Sequence, residues 1–192
     1  MSIVDLTSDA HEWLEASVAG AERPVRMYPL HVDLHRGTRS VLVEYPDGWR
    51  RDAEGTQPAG EEFVPLSGAF TLSGHRVVPG SVLVMTPRAL RSATASEGVV
   101  RAVVFFSGPG GGWESGDASA TGSVETCEVT EGLVRAGVEG LVGYLEVVPE
   151  VPEDGFGADA EIVWLDELRY AFVPRGGLPP QVEGRALVRF LP

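Results

Sequence analysis

The chain has 192 residues, of which 43% are hydrophobic and 22% are charged, and its formal net charge at pH 7 is −13. This apolar fraction supports a folded core and excludes a disordered chain, and the negative charge argues against a nucleic-acid partner. All 15 basic residues are arginines. The chemistries that need a lysine (Schiff-base catalysis, pyridoxal phosphate attachment and a Walker-type phosphate loop) are therefore excluded.

The composition also predicts where the protein works. The single cysteine, Cys127, cannot form a disulfide within the chain, which favours a reducing compartment. The sequence has neither an apolar run long enough to span a bilayer nor a secretory signal. We therefore expect a cytoplasmic protein without a membrane partner.

Residues 1–24 are predicted to form a short helical segment. Thr7 or Ser8 can cap a helix over residues 7–20, and Gly20 can end it. The apolar residues of this stretch then fall roughly on one face of the helix.

Residues 25–107 are typical of a β-barrel or sandwich, because short β-rich runs alternate with glycine and proline turn signals. The predicted strands are Val25–Leu34, Ser40–Tyr45, Glu61–Leu66, Ala69–Leu72, His75–Val78, Ser81–Thr86 and Val99–Ser107. The predicted class is all-β.

The rest of the chain is predicted to be a linker and a second, smaller β unit. Residues 108–124 are rich in glycine, serine and alanine, which is typical of a flexible linker unless Trp113 docks. Residues 125–192 again have the short β-rich runs typical of strands, and they repeat sequence segments of the first unit in the same order. The pairs are GTRSVLVEYP (37–46) with GLVGYLEVVP (140–149), EFVPL (62–66) with EIVWL (161–165), and EGVVRAVVFF (97–106) with EGRALVRF (183–190). The repeat predicts two related β units, the second one reduced.

Two spaced motifs lie between Gly48 and Phe106. The first motif, G-x5-H-x-H-x3–4-E-x6-G, is matched in spacing by Gly48, Glu54, Thr56, Glu61 and Gly68, and it includes the run GEEFVPLSG (60–68). The second motif begins at Gly80, and its histidine position falls on Arg91. In these motifs the chain resembles the cupin superfamily, and within it the ChrR-like cupins. The resemblance implies a jelly-roll barrel, here in a degenerate two-unit (bicupin) form.

Cupins commonly hold a metal on three histidines and one glutamate, and this sequence keeps only the glutamate. Glu54, Thr56 and Arg91 stand where the histidines are expected. A guanidinium group is a permanent cation with donors only, so it repels a divalent metal ion. We therefore expect no metal and no cofactor at this site.

The same alignment to the two motifs predicts that Glu54, Glu61 and Arg91 converge inside the barrel. Arg91 then either bridges a carboxylate as a structural ion pair or binds an anionic or carbonyl group of a ligand, with a carboxylate as general base. The alternation of a strand leaves open whether Glu61 or Glu62 faces inward.

Four further side chains are predicted to line a ligand pocket: Thr56, Trp49, Phe63 and Tyr45. The favoured function is a metal-independent isomerase, cyclase, epimerase or lyase acting on a small organic molecule. A non-catalytic ligand-binding module is the alternative, and a metal-dependent cupin oxygenase is the second alternative. The resemblance also implies that a homodimer is possible.

Overall fold

The computed structural model describes residues 3–192 and divides them into two compact units. The larger unit comprises Glu12–Glu128 and Glu139–Leu141, and the smaller unit comprises the described residues up to His11 with Val129–Val138 and Val142–Pro192. Within residues 3–192, no helix is long and apolar enough to span a membrane.

The strands, numbered in chain order, are β1 (Val4–Asp5), β2 (Leu14–Ala16), β3 (Val25–Asp33), β4 (Thr38–Tyr45), β5 (Arg50–Arg51), β6 (Gly55–Thr56), β7 (Gly60–Pro65), β8 (Ala69–Leu72), β9 (His75–Val77), β10 (Ser81–Met85), β11 (Thr94–Glu97), β12 (Val100–Ser107), β13 (Glu114–Ser115), β14 (Val124–Glu128), β15 (Gly132–Arg135), β16 (Tyr144–Val148), β17 (Asp159–Trp164), β18 (Arg169–Val173) and β19 (Ala186–Leu191).

The larger unit contains two main antiparallel sheets. One has seven strands in the order β14-β10-β7-β12-β4-β3-β2, and the other has four in the order β5-β11-β8-β9. A short pair, β13 with β6, lies outside them. The expected all-β class is confirmed, but the sheets are open and are not closed by hydrogen bonds into the jelly-roll barrel that the resemblance to cupins implied.

The core of the larger unit takes side chains from both main sheets. Phe63 of the seven-stranded sheet stacks on Phe70 of the four-stranded sheet at a ring-centroid distance of 4.5 Å, and Tyr45 contacts Phe70 at 4.9 Å. Each of these aromatic contacts stabilises the unit by about 0.5–1.5 kcal/mol beyond the burial of apolar area. Such packing across the two sheets is what holds them face to face.

The smaller unit contains one six-stranded antiparallel sheet in the order β1-β18-β17-β19-β16-β15. Its apolar cluster includes Ile162, Trp164 and Val188, all fully buried. On neighbouring strands, Arg189 Nη1 donates to Glu161 Oε2 at 3.1 Å, and the Tyr170 hydroxyl donates to Glu161 Oε1 at 2.7 Å. This ion pair is fully buried, and the tyrosine hydroxyl helps to satisfy its carboxylate.

The two long sheets share one strand order over the repeated segments. β7, β12 and β4 are neighbours in the larger unit, and β17, β19 and β16 are neighbours in the smaller one. The register agrees for the pairs β7–β12 and β17–β19, because Glu62 opposes Phe105 in one sheet and Glu161 opposes Arg189 in the other. The pairs β4–β12 and β16–β19 differ in register by two residues. The repeated sequences thus form corresponding strands.

The predicted N-terminal helix is wrong. Within residues 3–24 the structure has only the short strands β1 and β2, and residues 1 and 2 of the predicted segment lie outside the described residues. β1 pairs with β18, and β2 pairs with β3 at the edge of the seven-stranded sheet. Pairing with a preformed strand outweighs the helical propensity of so short a segment.

The segment after β12 also enters the sheets. Within residues 108–124, β13 pairs with β6, and β14 then adds to β10 over Val124–Glu128. Residues 125–128 therefore belong to the larger unit.

Candidate functional site

A cavity of about 270 Å³ lies in the larger unit. Both main sheets, the turn after β2 and the glycine-rich segment after β12 contribute to its walls. The lining residues are Ser17, Val18, Ala19, Met27, Arg39, Tyr45, Trp49, Arg51, Gln57, Glu61, Phe70, Leu72, Arg91, Thr94, Phe106, Gly111 and Trp113. Aromatic and aliphatic side chains thus form the wall around a small group of polar ones, which is the usual composition of a small-molecule site.

An ion pair between Glu61 and Arg91 lies in this wall. Glu61 is on β7, and Arg91 is in the connection between β10 and β11, where its backbone exchanges two hydrogen bonds with Gly55. Arg91 Nη1 donates to Glu61 Oε2 at 2.8 Å, and Gln57 Nε2 donates to the same oxygen at 3.1 Å. The Arg91 side chain is only 2% exposed, so its charge is removed from bulk water.

Arg91 keeps unused donors. Among residues 3–192, neither its Nε nor its Nη2 has a hydrogen-bond partner. These two nitrogens form one edge of the guanidinium plane, and that edge matches a carboxylate with two parallel hydrogen bonds. Arg26 uses the same edge elsewhere in this unit, because both its Nε and its Nη2 donate to Glu44 Oε1.

A second buried guanidinium belongs to Arg51 on β5. Arg51 Nη2 donates to Thr94 Oγ1 at 3.0 Å, and the guanidinium carbon lies 4.7 Å from the centroid of the Trp113 ring. Burial, followed by repulsion from Arg91, lowers the pKa of Arg51 from its ordinary value. Its Nε is buried and has no partner in the part of the chain that the structure describes.

The third guanidinium is that of Arg39 on β4. It lies 4.2 Å from the ring centroid of Phe106, and its Nη1 donates to the carbonyl oxygen of Gly108 at 3.2 Å. Burial lowers the pKa of Arg39, and the Glu61 carboxylate opposes that shift. Because three guanidinium groups and one carboxylate line it among the described residues, the cavity is electropositive, although the chain as a whole carries a net negative charge.

Tyr45 and Trp49 line the cavity as the sequence predicted. Their rings meet edge to face at a centroid distance of 4.9 Å, and Trp49 Nε1 donates to the backbone oxygen of Arg23 at 2.8 Å. Burial, followed by the charge of Glu61, raises the pKa of the Tyr45 hydroxyl above its ordinary value. Tyr45 is therefore neutral at physiological pH.

The structure brings together only part of the predicted set. Glu61 and Arg91 converge as expected, and Glu61, not Glu62, lines the cavity. Glu54 does not reach this point, because its side chain is exposed to solvent.

Two of the predicted pocket residues are buried elsewhere. Thr56 is fully buried and shares a hydrogen bond of 2.6 Å with Ser119. Phe63 is a core residue stacked on Phe70 and is not among the residues that line the cavity.

Sequence reasoning missed Arg39, Arg51, Gln57 and Trp113. The doublet Arg50–Arg51 carried a signal, since one of two neighbouring strand residues must face inward. Which one faces inward depends on the pairing of β5 with β11, and the motif spacing does not contain that information.

The donor set does not fit the metal that cupins commonly hold. Among the described residues that line the cavity, Glu61 supplies the one carboxylate, and it is already bonded to Arg91. No group of three or more His, Cys, Asp or Glu side chains with metal-binding geometry occurs in residues 3–192. Three guanidinium groups repel a divalent cation and offer it no lone pair.

No protein-family model matches the chain, and no curated protein matches it in sequence. Solved structures do match. A candidate dioxygenase from Nostoc punctiforme is 14% identical with a TM-score of 0.74, over 98% of this chain and 81% of that chain. The candidate glyoxylate-induced protein from Pseudomonas aeruginosa is 10% identical with a TM-score of 0.56, over 91% of this chain and 82% of that one.

A protein of unknown function with a cupin-like fold, from Ralstonia eutropha, also matches at 14% identity and a TM-score of 0.40, over 47% of this chain and 62% of that chain. At these identities the likeness concerns the fold and not the activity. The matches with TM-scores above 0.5 show that the chain shares the fold of the Nostoc and Pseudomonas proteins. Cupin-like proteins are among the solved structures that match, in keeping with the resemblance stated from the sequence motifs.

Proposed function

We propose that the larger unit binds a small organic anion in its cavity without a metal ion, and that Arg91 is the residue that holds the anionic group. The observation that carries this proposal is the free Nε/Nη2 edge of Arg91, which is buried in the cavity wall without a partner among residues 3–192.

A purely structural ion pair would not leave this edge unused. Buried guanidinium donors that lack an acceptor cost stability, and a native fold normally satisfies them. Glu61 satisfies only Nη1, through its Oε2. A ligand carboxylate on the opposite edge would complete the hydrogen bonding of Arg91 with two parallel bonds.

The predicted isomerase, cyclase, epimerase or lyase activity needs a proton carrier beside the bound anion. Glu61 is the candidate general base, because it is the carboxylate of the cavity wall and lies on the same guanidinium as the proposed anion. Glu54 is not included in this proposal, since its side chain is exposed. A non-catalytic binding module would use the same cavity without turnover.

The test measures binding of acetate, benzoate and succinate by isothermal titration calorimetry, in EDTA to remove divalent metals. We expect at least one of these anions to bind the unaltered protein, and Arg91→Gln to abolish that binding. Arg50→Gln is the matched control: its side chain is 72% exposed, so loss of its charge leaves the cavity wall intact. Equal binding by Arg91→Gln and the unaltered protein would overturn the proposal, as would binding that disappears in EDTA.

Catalysis and simple binding are then separated by Glu61→Gln. If the Glu61→Gln variant still binds the anion but no longer converts it to product, Glu61 is the general base. Binding without turnover in the unaltered protein identifies a binding module.

Three further predictions concern organisation. The shared strand order of the two long sheets, with the matching register of β7–β12 and β17–β19, supports a duplicated, bicupin origin. In that correspondence Ala160 takes the place of Glu61, so the smaller unit has no carboxylate at the position that corresponds to Glu61. A homodimer stays a prediction that light scattering can test, and the cytoplasmic location stays a prediction as well.

A further inference from the structure

We infer that Arg51 is a second anion-binding residue and that the ligand carries two negative charges on an apolar skeleton. This inference rests on the proposed function and narrows its ligand class. It follows from the charge of the cavity, the free donor of Arg51 and the apolar part of the wall.

The charge balance of the cavity is incomplete. Arg39, Arg51 and Arg91 are set against the single carboxylate of Glu61 among the described lining residues, which leaves a formal excess of two positive charges. Excess charge in a largely buried site is destabilising unless a counter-charge accompanies it. A singly charged ligand would leave half of this excess, whereas a doubly charged one neutralises it.

Arg51 is held in a fixed orientation with a donor to spare. Thr94 accepts from Nη2, and the Trp113 ring covers the guanidinium face. The Nε of Arg51, like the free edge of Arg91, is buried without a partner within residues 3–192. The two guanidinium groups repel each other, so an anion that accepts from both removes a repulsion as well as filling the free donors.

The apolar residues of the cavity wall favour a ligand with a hydrocarbon skeleton. Met27, Phe70, Leu72 and Phe106 present hydrocarbon to the cavity. The volume of about 270 Å³ lies just below the usual range of small-molecule sites, which begins at about 300 Å³, so the ligand skeleton is short. Small dicarboxylates and small organic phosphate or sulfate esters share the required chemistry of two charges and a short carbon chain.

The test compares probes that differ in charge and hardly in shape. Succinate is compared with its monoamide succinamate, and sulfate with methyl sulfate, by calorimetric titration at pH 7.5. We expect the doubly charged member of at least one pair to bind the unaltered protein about tenfold or more tightly than its singly charged partner, because each charge-assisted contact contributes strongly in a largely buried site. Preference confined to succinate identifies a dicarboxylate site, and preference confined to sulfate identifies a tetrahedral-anion site.

Arg51→Gln supplies the decisive comparison. We expect it to remove most of the preference for the doubly charged probe while binding of the singly charged probe changes less. The neighbouring Arg50→Gln makes the same chemical change on an exposed side chain and should keep the full preference. Arg51→Lys keeps the positive charge but not the planar guanidinium group, so it should retain part of the preference for the doubly charged probe. It serves as the second variant if Arg51→Gln does not fold.

The outcomes separate the two claims. Equal affinity for both members of both pairs in the unaltered protein would overturn the inference and leave the proposed function in place. A preference that persists in Arg51→Gln would overturn the role of Arg51. If none of the four probes binds while acetate or benzoate does, the inference fails and the proposed function stands. If acetate and benzoate do not bind either, both fail.

Discussion

Glu61→Gln is expected to destabilise the larger unit strongly, because it leaves the buried guanidinium of Arg91 without its counter-charge. Glu61 accepts hydrogen bonds from Arg91 at 2.8 Å and from Gln57 at 3.1 Å, and its side chain is 11% exposed. Breaking a fully buried ion pair by removing one partner costs about 3–5 kcal/mol. Since Glu61 borders a cavity that admits water, we expect a loss of about 2–4 kcal/mol in the free energy of unfolding.

The assay is urea unfolding followed by tryptophan fluorescence and far-ultraviolet circular dichroism. Glu54→Gln is the matched control, because it makes the same chemical change on an exposed side chain seven positions earlier; it should alter stability by less than about 0.5 kcal/mol. In the double variant Glu61→Gln/Arg91→Gln the buried cation is removed too. We therefore expect the double variant to be less destabilised than the sum of the single changes by about 1 kcal/mol or more.

Two results would refute this reasoning. One is a Glu61→Gln variant as stable as Glu54→Gln, which would mean that the charge of Glu61 is not needed in the folded state. The other is strict additivity in the double variant, which would mean that Glu61 and Arg91 do not interact in solution. The account of the cavity also predicts that sulfate raises the midpoint of Glu61→Gln more than that of the unaltered protein, because anion binding then supplies the missing counter-charge.

Two further predictions concern the scaffold. Gly143 has φ +79°, and a Cβ there would collide with the carbonyl oxygen of Phe190. Gly143→Ala should therefore cost about 2–4 kcal/mol in urea unfolding, and a neutral result would contradict the close approach of Gly143 to the Phe190 carbonyl. Burial opposes ionisation of Glu44, but hydrogen bonds from Arg101 and Arg26 outweigh it and lower its pKa from 4.5. The stabilisation from ionised Glu44 is thus fully present above about pH 4.5 and is lost as the pH falls through the lower pKa of the folded state. Glu44→Gln should therefore cost about 1–2 kcal/mol at pH 7 and less at pH 3, and a pH-independent difference would refute the assignment.

The strands that the sequence predicted are those whose signal is local. β8 was predicted with its observed bounds, and β4, β10 and β12 within a few residues, because each combines apolar, β-favouring residues with flanking glycine or proline turns. The two-residue strands β5 and β6 carry no such signal, since their pairing depends on partners far away in the chain.

In the N-terminal region a local signal is present but predicts the wrong element. Its capping residues and apolar spacing fit a helix, yet Leu14–Ala16 forms β2 because β3 offers it a partner. A helix of about 14 residues is marginal on its own, so tertiary pairing decides the outcome.

The site was predictable only where the cupin motif spacing applied. That spacing placed Glu61 on β7 and Arg91 beside it, and the two side chains do meet. The spacing failed for Glu54, since the motif position lies just before β6, where the side chain turns to solvent. The pairing of β5 with β11 places Arg51 at the cavity. Trp113, whose ring covers the Arg51 guanidinium, lies in the segment that was predicted to be a linker.

The most direct test of an anion site in place of a metal site is anomalous diffraction from crystals of the unaltered protein soaked in selenate and grown in EDTA. Selenium scatters anomalously, so its position in the cavity can be found without assumptions about the ligand. We predict a selenium peak with oxygen atoms within hydrogen-bond distance of the Nε and Nη2 atoms of Arg91 and of the Nε atom of Arg51. A cavity left empty both by selenate and by a parallel soak in bromosuccinate, whose bromine also scatters anomalously, would contradict the claim, as would a metal ion retained on Glu61 despite EDTA.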